Sequence, residues 1–247
     1  MSVTAVLNSE WIKIKSLRAG AGSLIAVFVA TVGITVLVDA TIGQGQAKLD
    51  GAAFDPVHFA FYALMFGQIA AISFGATAVS SEYLHGAVRI SLAAVPNRRL
   101  FYAAKMAVVG ALALAVGLVT TMVTFLSGQA FMGEYAIGLG DPGALRATVG
   151  SGVYLALMAL FAAGLAAVLR SGVAVLSVLI PFILIVSFVV GDVAGGVADY
   201  LPDRAGQLVL RQHPEGALGP WAGLAVTAVW AAAALLAGWW AVRRRDA

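Results

Sequence analysis

No cysteine occurs in the 247 residues, which together excludes disulfide frameworks, thiolate nucleophiles, iron-sulfur clusters and cysteine-based zinc sites. Charge is almost as scarce. Asp, Glu, Lys and Arg make up 11% of the chain, against about a quarter in a soluble domain, while 61% is hydrophobic and the mean hydropathy is +0.95. A soluble globular fold is excluded. No Gly-Lys pair occurs, so there is no Walker loop to cradle nucleotide phosphates. His58, His85 and His213 lie far apart in sequence, and none falls near the middle of a long apolar run. That argues against a three-histidine metal site and against the buried histidine base of an intramembrane serine protease. The chain is expected to be no enzyme, and to hold no metal or cofactor of its own.

What is present is hydrophobic length. Charge-free runs extend from Ala19 to Val38, Val57 to Val79, Met106 to Ala130, Ala147 to Leu169, Ser171 to Gly191 and Ala217 to Val242. Each can cross a hydrocarbon core of about 30 Å as a helix. The expected fold is an all-α membrane protein with six transmembrane helices in one permease domain, 1–247. Residues 1–18 form an interfacial helix, 19–242 the bundle and 243–247 a tail.

Six spans place both termini on one side, and the intervening charges orient them. Lys13, Lys15, Arg18, Arg89, Arg98, Arg99, Lys105, Arg170, Arg243, Arg244 and Arg245 lie on the side of the termini, whereas Lys48, Arg146, Arg204 and Arg211 lie opposite. Eleven against four puts the termini in the cytoplasm. The net charge of +3 therefore reflects topology, and no nucleic-acid partner is expected. Trp221 and the Trp239-Trp240 pair suit the two headgroup levels of the last helix.

No Asp, Glu, Lys or Arg interrupts these runs, so the ionisable groups an ion-coupled pump needs at membrane depth are missing from them. Gln68 is the most polar candidate within them; it either touches substrate or makes an interhelical hydrogen bond. Pro181 kinks the fifth run. In the first 18 residues Val3, Leu7, Trp11, Ile14 and Leu17 form one apolar stripe suited to the membrane interface. Glu10 projects into that stripe and needs a partner. It either pairs with a cytoplasmic loop or sits at the headgroup edge among membrane lipids.

The connection from Ser80 to Lys105 is the largest cytoplasmic feature. Gly86 can stop the second helix, Val88 to Ala94 can form a short helix, and Pro96-Asn97 reads as a turn. This segment is either a docking surface, with Glu82 and Arg89 flanking Gly86, or a basic loop that only enforces topology. On the opposite side, Asp192 to Pro214 is expected to contain a short helix starting at Pro202-Asp203 and burying Leu208, Val209 and Leu210.

Three stretches carry a likeness: Ser9-Glu10-Trp11-Ile12-Lys13; Ser81-Glu82-Tyr83 with Gly86, Arg89, Leu92 to Pro96, Arg98-Arg99 and Ala104-Lys105; and Tyr200-Leu201-Pro202 with Ala205-Gly206-Gln207. In these the chain resembles the permease subunits of type-2 ABC exporters, found especially in high-GC Gram-positive bacteria. The resemblance implies a transmembrane half that pairs with a second permease copy or paralogue and with separate ABC ATP-binding subunits, which bind the ATP. It also implies that Glu82, Gly86 and Arg89 couple ATPase closure to the spans, with Glu10 on the connecting helix. The expected function is ATP-driven export of a hydrophobic or amphipathic compound across the bacterial plasma membrane. A passive channel, a secondary carrier or a membrane-assembly subunit are the alternatives. Gly110, Ala113 and Gly117, on one face of the third helix, serve either association of two halves or packing within the chain.

Overall fold

A computed structural model describes residues 2–186, 189, 195–212 and 218–244. It is 88% helical with no strand among the described residues. Helix α1 (Val3–Ser16) is capped by the Ser2 side chain, which accepts from the Ala5 amide, and ends at Leu17 in extended backbone. The chain then turns into α2 (Arg18–Val38). Helical structure continues through a π-helical turn, Asp39–Gly43, into α3 (Gln44–Asp50). After α4 (Pro56–Ala60) and α5 (Leu64–Ser80), a 3-10 segment, Ser81–Gly86, leads to α6 (Ala87–Ala94). The remaining helices are α7 (Arg98–Gln129), α8 (Ala144–Leu169), α9 (Gly172–Pro181), α10 (Pro202–Gln207) and α11 (Pro220–Arg244).

Among the described residues, five helical stretches are long and apolar enough to span a membrane: Arg18–Ala53, Leu64–Leu84, Arg98–Gln129, Ala144–Leu169 and Pro220–Arg244. A shorter apolar helix, Gly172–Ile185, occupies the fifth predicted run. The far end of that run at Gly191 lies outside the described residues, as do His213 and the start of the sixth run at Ala217. Pro181 closes α9, and a π-helical turn, Phe182–Val186, follows it. Losing an amide donor and crowding the preceding turn is the disturbance a proline brings to a helix.

Helix α8 is the axis of the bundle, packing against α5, α7 and α11. Its neighbours approach at backbone distance because small residues meet there. A Cβ at Gly75 of α5 would lie 1.9 Å from the Ala159 carbonyl oxygen, and one at Gly164 would lie 2.6 Å from the Ala234 carbonyl carbon of α11. No side chain fits at either crossing. Between spanning helices, whose apolar faces gain nothing by leaving lipid, this close fit supplies the attraction. The stripe on α7 is used in the same way: a Cβ at Gly117 would stand 2.8 Å from the Gly152 oxygen of α8, and Gly110 faces Leu160. Its role within the chain is packing.

Besides the first run, which continues helically past Val38, other predicted boundaries move. The second run is interrupted at residues 61–63, because Asp55 caps a separate short helix by accepting from the His58 amide, with Pro56 at its first position. The third helix starts at Arg98, since the Asn97 side chain accepts from the Arg99 and Leu100 amides. Lys105 therefore belongs to a helix rather than to a loop. The last helix extends to Arg244, past the predicted start of the tail at 243.

Helix α1 and the end of α11 both pack near the start of α7, at the end of the bundle here termed the basic end. Arg98 Nη1 donates to the Val242 carbonyl at 2.7 Å, and the Tyr102 hydroxyl donates to the Leu235 carbonyl at 2.8 Å. At the opposite end the Gln212 amide donates to Asp55 Oδ2 at 2.8 Å. Predicted as a short helix, the segment there forms α10 from Pro202, followed by a 3-10 turn, Leu208–Leu210, whose Val209 and Leu210 are buried.

Candidate functional site at the basic end

Glu10 is 1% exposed, on the buried line Val6, Glu10 and Ile14 of α1. The apolar stripe is rotated from its predicted centre, leaving Val3 and Trp11 exposed. A carboxylate this deep requires compensating charge, and two ammonium groups supply it. Lys13 Nζ donates to Glu10 Oε1 at 2.7 Å. Lys105 Nζ lies 2.7 Å from Glu10 Oε2, an ionic contact that is not aligned as a hydrogen bond.

The same ammonium groups reach Glu82 in the 3-10 segment. Lys105 Nζ is 2.5 Å and Lys13 Nζ 3.2 Å from Glu82 Oε1. Ser91 of α6 donates to Glu82 Oε2 at 2.8 Å, and Lys13 Nζ is 2.9 Å from Ser91 Oγ. The Phe101 ring lies below both cations, 5.4 Å from Lys13 Nζ and 6.0 Å from Lys105 Nζ. Two carboxylates and two ammonium groups thus form a charge-balanced cluster. It joins α1, the 3-10 segment, α6 and the base of α7.

Lys105 is nearly sealed, its side chain 3% exposed, whereas Lys13 is 37% exposed at the rim. Burial alone disfavours the Lys13 ammonium. Its hydrogen bond to Glu10 and the charges of Glu82 and Glu10 outweigh that penalty, raising its pKa above the ordinary 10.5. Lys13 is consequently held ionised throughout the physiological range.

Gly86 closes the 3-10 segment with φ +73, a left-handed conformation that costs glycine nothing. It redirects the chain into α6, which carries Ser91 inward to the cluster and Arg89 on its exposed side. Among the predicted site residues, Glu10 and Glu82 are therefore brought together, with Gly86 as the adjoining turn and Arg89 on the outside. Lys13, Lys105 and Ser91 were not singled out from the sequence. The available signal was charge balance: two acids destined for burial need two bases nearby.

Gln68 lies elsewhere, fully buried on α5. Its Oε1 accepts from the Tyr154 hydroxyl of α8 and, at 3.2 Å, from Gln207 Nε2 of α10. Its own Nε2 has no hydrogen-bond partner. Gln207 also lines a cavity of about 350 Å³ with Phe61, Met65, Ile183, Asp203 and Arg204, which combines an apolar wall with a polar one.

Among the described residues no group of three or more His, Cys, Asp or Glu is placed to hold a metal ion. Neither curated proteins nor solved structures provide a match to the chain. The sequence profile of the ABC-2 family transporter proteins, in contrast, matches residues 6–191, from α1 through the helix containing Pro181. The matched region contains the whole ion cluster, Gln68 and the α5–α7–α8 core. The chain belongs to the ABC-2 transporter family, as a multi-pass membrane permease component of a transporter type that normally works with an ATP-binding subunit.

Proposed function

We propose that this permease exports a hydrophobic or amphipathic compound from the cytoplasm or inner leaflet of a bacterial plasma membrane, driven by ATP hydrolysed on a separate subunit. Two permease halves, identical or paralogous, form the working unit, and each chain crosses the membrane six times with its termini in the cytoplasm. The observation that carries this reading is the ion cluster. It ties α6, which exposes Arg89, to α1 and to the base of the spanning helix α7. A displacement imposed on α6 by an ATPase then moves α7 as a unit instead of dissipating in a loop.

At the other end, the Gln68, Tyr154 and Gln207 group beside the mixed cavity supports a substrate path in which an amphipathic molecule finds both apolar walls and hydrogen-bonding groups. Arg89→Ala tests the coupling role. In reconstituted complexes of matched subunit content, it is expected to lower substrate moved per ATP hydrolysed while substrate binding survives. Lost binding with normal coupling per bound substrate would move this segment into the substrate site. The cysteine-free chain makes topology testable as well: cysteines at Ser2 and Asn97 should resist an impermeant maleimide in intact cells, and those at Lys48 and Asp141 should react.

A further inference from the structure

Asp39 presents the opposite situation to Glu10. It follows α2, whose 21 residues span about 31 Å at 1.5 Å per residue, so it stands at the membrane boundary farthest from the basic end. Its exposure is 2%, and neither carboxylate oxygen has a hydrogen-bond partner. Among the described residues, none of the ion pairs includes it.

The surroundings repeat the pattern. Thr35, one turn earlier on α2, and Thr124, one turn before Gly128 on α7, are buried, and their hydroxyls also have no partner. A buried helical threonine ordinarily returns its proton to the preceding turn, as Thr31 does to the Val27 carbonyl and Thr148 to the Ala144 carbonyl. Gly128, one turn beyond Thr124, admits the carboxylate between the helices: a Cβ there would be 2.3 Å from Asp39 Oδ2 and 3.0 Å from Thr35 Cγ2. Asp39 also opens the π-helical turn that carries α2 into α3, and such turns concentrate at functional sites.

An unpaired carboxylate in a water-poor helix crossing demands a positive charge. The three unpartnered groups, one carboxylate and two threonine hydroxyls, are hard oxygens, which suit hard cations rather than soft metals. One carboxylate balances one positive charge. A divalent ion would keep a net charge in the same low-dielectric crossing and normally collects more carboxylates. We propose that Asp39, with the hydroxyl oxygens of Thr35 and Thr124, binds a small monovalent alkali cation between the first and third membrane helices. The ion ties the ends of α2 and α7 together there, as Lys105 ties α1 to α7 at the basic end.

The test uses the full-length permease in lipid nanodiscs, independently of any ATPase partner or transport assay. Thermal unfolding is followed at constant pH and ionic strength while choline chloride is replaced by sodium chloride or by potassium chloride. A saturable upward shift of roughly 3 °C or more is expected with at least one of the two cations. Asp39→Asn should abolish the shift, and Thr124→Val should raise the half-saturating concentration about tenfold. Thr124→Val retains the carboxylate and keeps the question open to measurement if Asp39→Asn fails to fold. Midpoints identical in choline, sodium and potassium would overturn the site. A shift preserved in Asp39→Asn, or a response to pH with none to cation, would do the same, the latter making Asp39 a neutral acid.

Discussion

Two buried carboxylates at opposite ends of the bundle receive opposite treatment. Glu10 meets Lys13 and Lys105 at 2.7 Å each, while both oxygens of Asp39 stand without a protein partner. The difference follows from what each surrounding segment brings. At the basic end α1, the 3-10 segment and α7 converge from distant parts of the chain, each carrying charge. At the far end α2 meets α7 where α7 carries threonines and Gly128. A closed cluster satisfies itself; an open one leaves its carboxylate to the proposed cation.

The largest expected effect comes from opening the closed cluster. Lys105→Met leaves Glu10 and Glu82 sharing the rim cation Lys13, and loss of one partner from a buried pair costs about 3–5 kcal/mol. The thermal midpoint of the purified permease should fall accordingly. Neutralising both carboxylates as well, with Glu10→Gln and Glu82→Gln, should recover much of the loss, and a triple variant no better than the single one would show that packing dominates instead. Next in size is Gly128→Ala, which drives a Cβ into the Asp39 carboxylate. Overpacking of this kind costs about 1–3 kcal/mol, and the same readout should register it in every salt.

The sharpest test of the contrast is one of sign. Glu10→Gln removes a charge that two ammonium groups require and should destabilise. In choline chloride, Asp39→Asn removes a charge that no protein group offsets and should be neutral or stabilising, by about 1 kcal/mol at most. Equal losses for the two variants would erase the distinction between the ends. The smallest effect concerns Lys13. Because its folded pKa is raised, its contribution is fully present below the unfolded value of 10.5 and is lost as pH rises through the higher folded value. Lys13→Met should flatten that alkaline decline, measured as the midpoint between pH 9 and 12, and only slightly, since the side chain is partly exposed.

Much of the basic end was legible in the sequence for a physical reason: its punctuation is local. Gly86 supplies a left-handed turn, Asn97 caps the next helix with its own side chain, and the eight residues Ala87–Ala94 between them form the expected short helix. Glu10 was legible as a problem, since 100° per residue places it among apolar neighbours, but its solution was not. Lys105 is 95 residues away, and its burial depends on α7 starting at Arg98. The charge-free run stops at Val38, one residue before Asp39, and hydropathy says nothing about a helix continuing past a charge.

The sequence by itself determined the solvent and the secondary structure. Apolar length requires a bilayer, lipid requires internally hydrogen-bonded backbone, and turn residues mark where helices stop. Tertiary structure alone decided which polar groups meet. The Gly75–Ala159, Gly117–Gly152 and Gly164–Ala234 approaches set how closely the helices pack around α8, and rotation about each helix axis then selects a few side chains for each crossing. Hydropathy averages over all faces of a helix, so it carries no record of that rotation. Packing fixes it, and with it the paired fate of Glu10 and the unpaired one of Asp39.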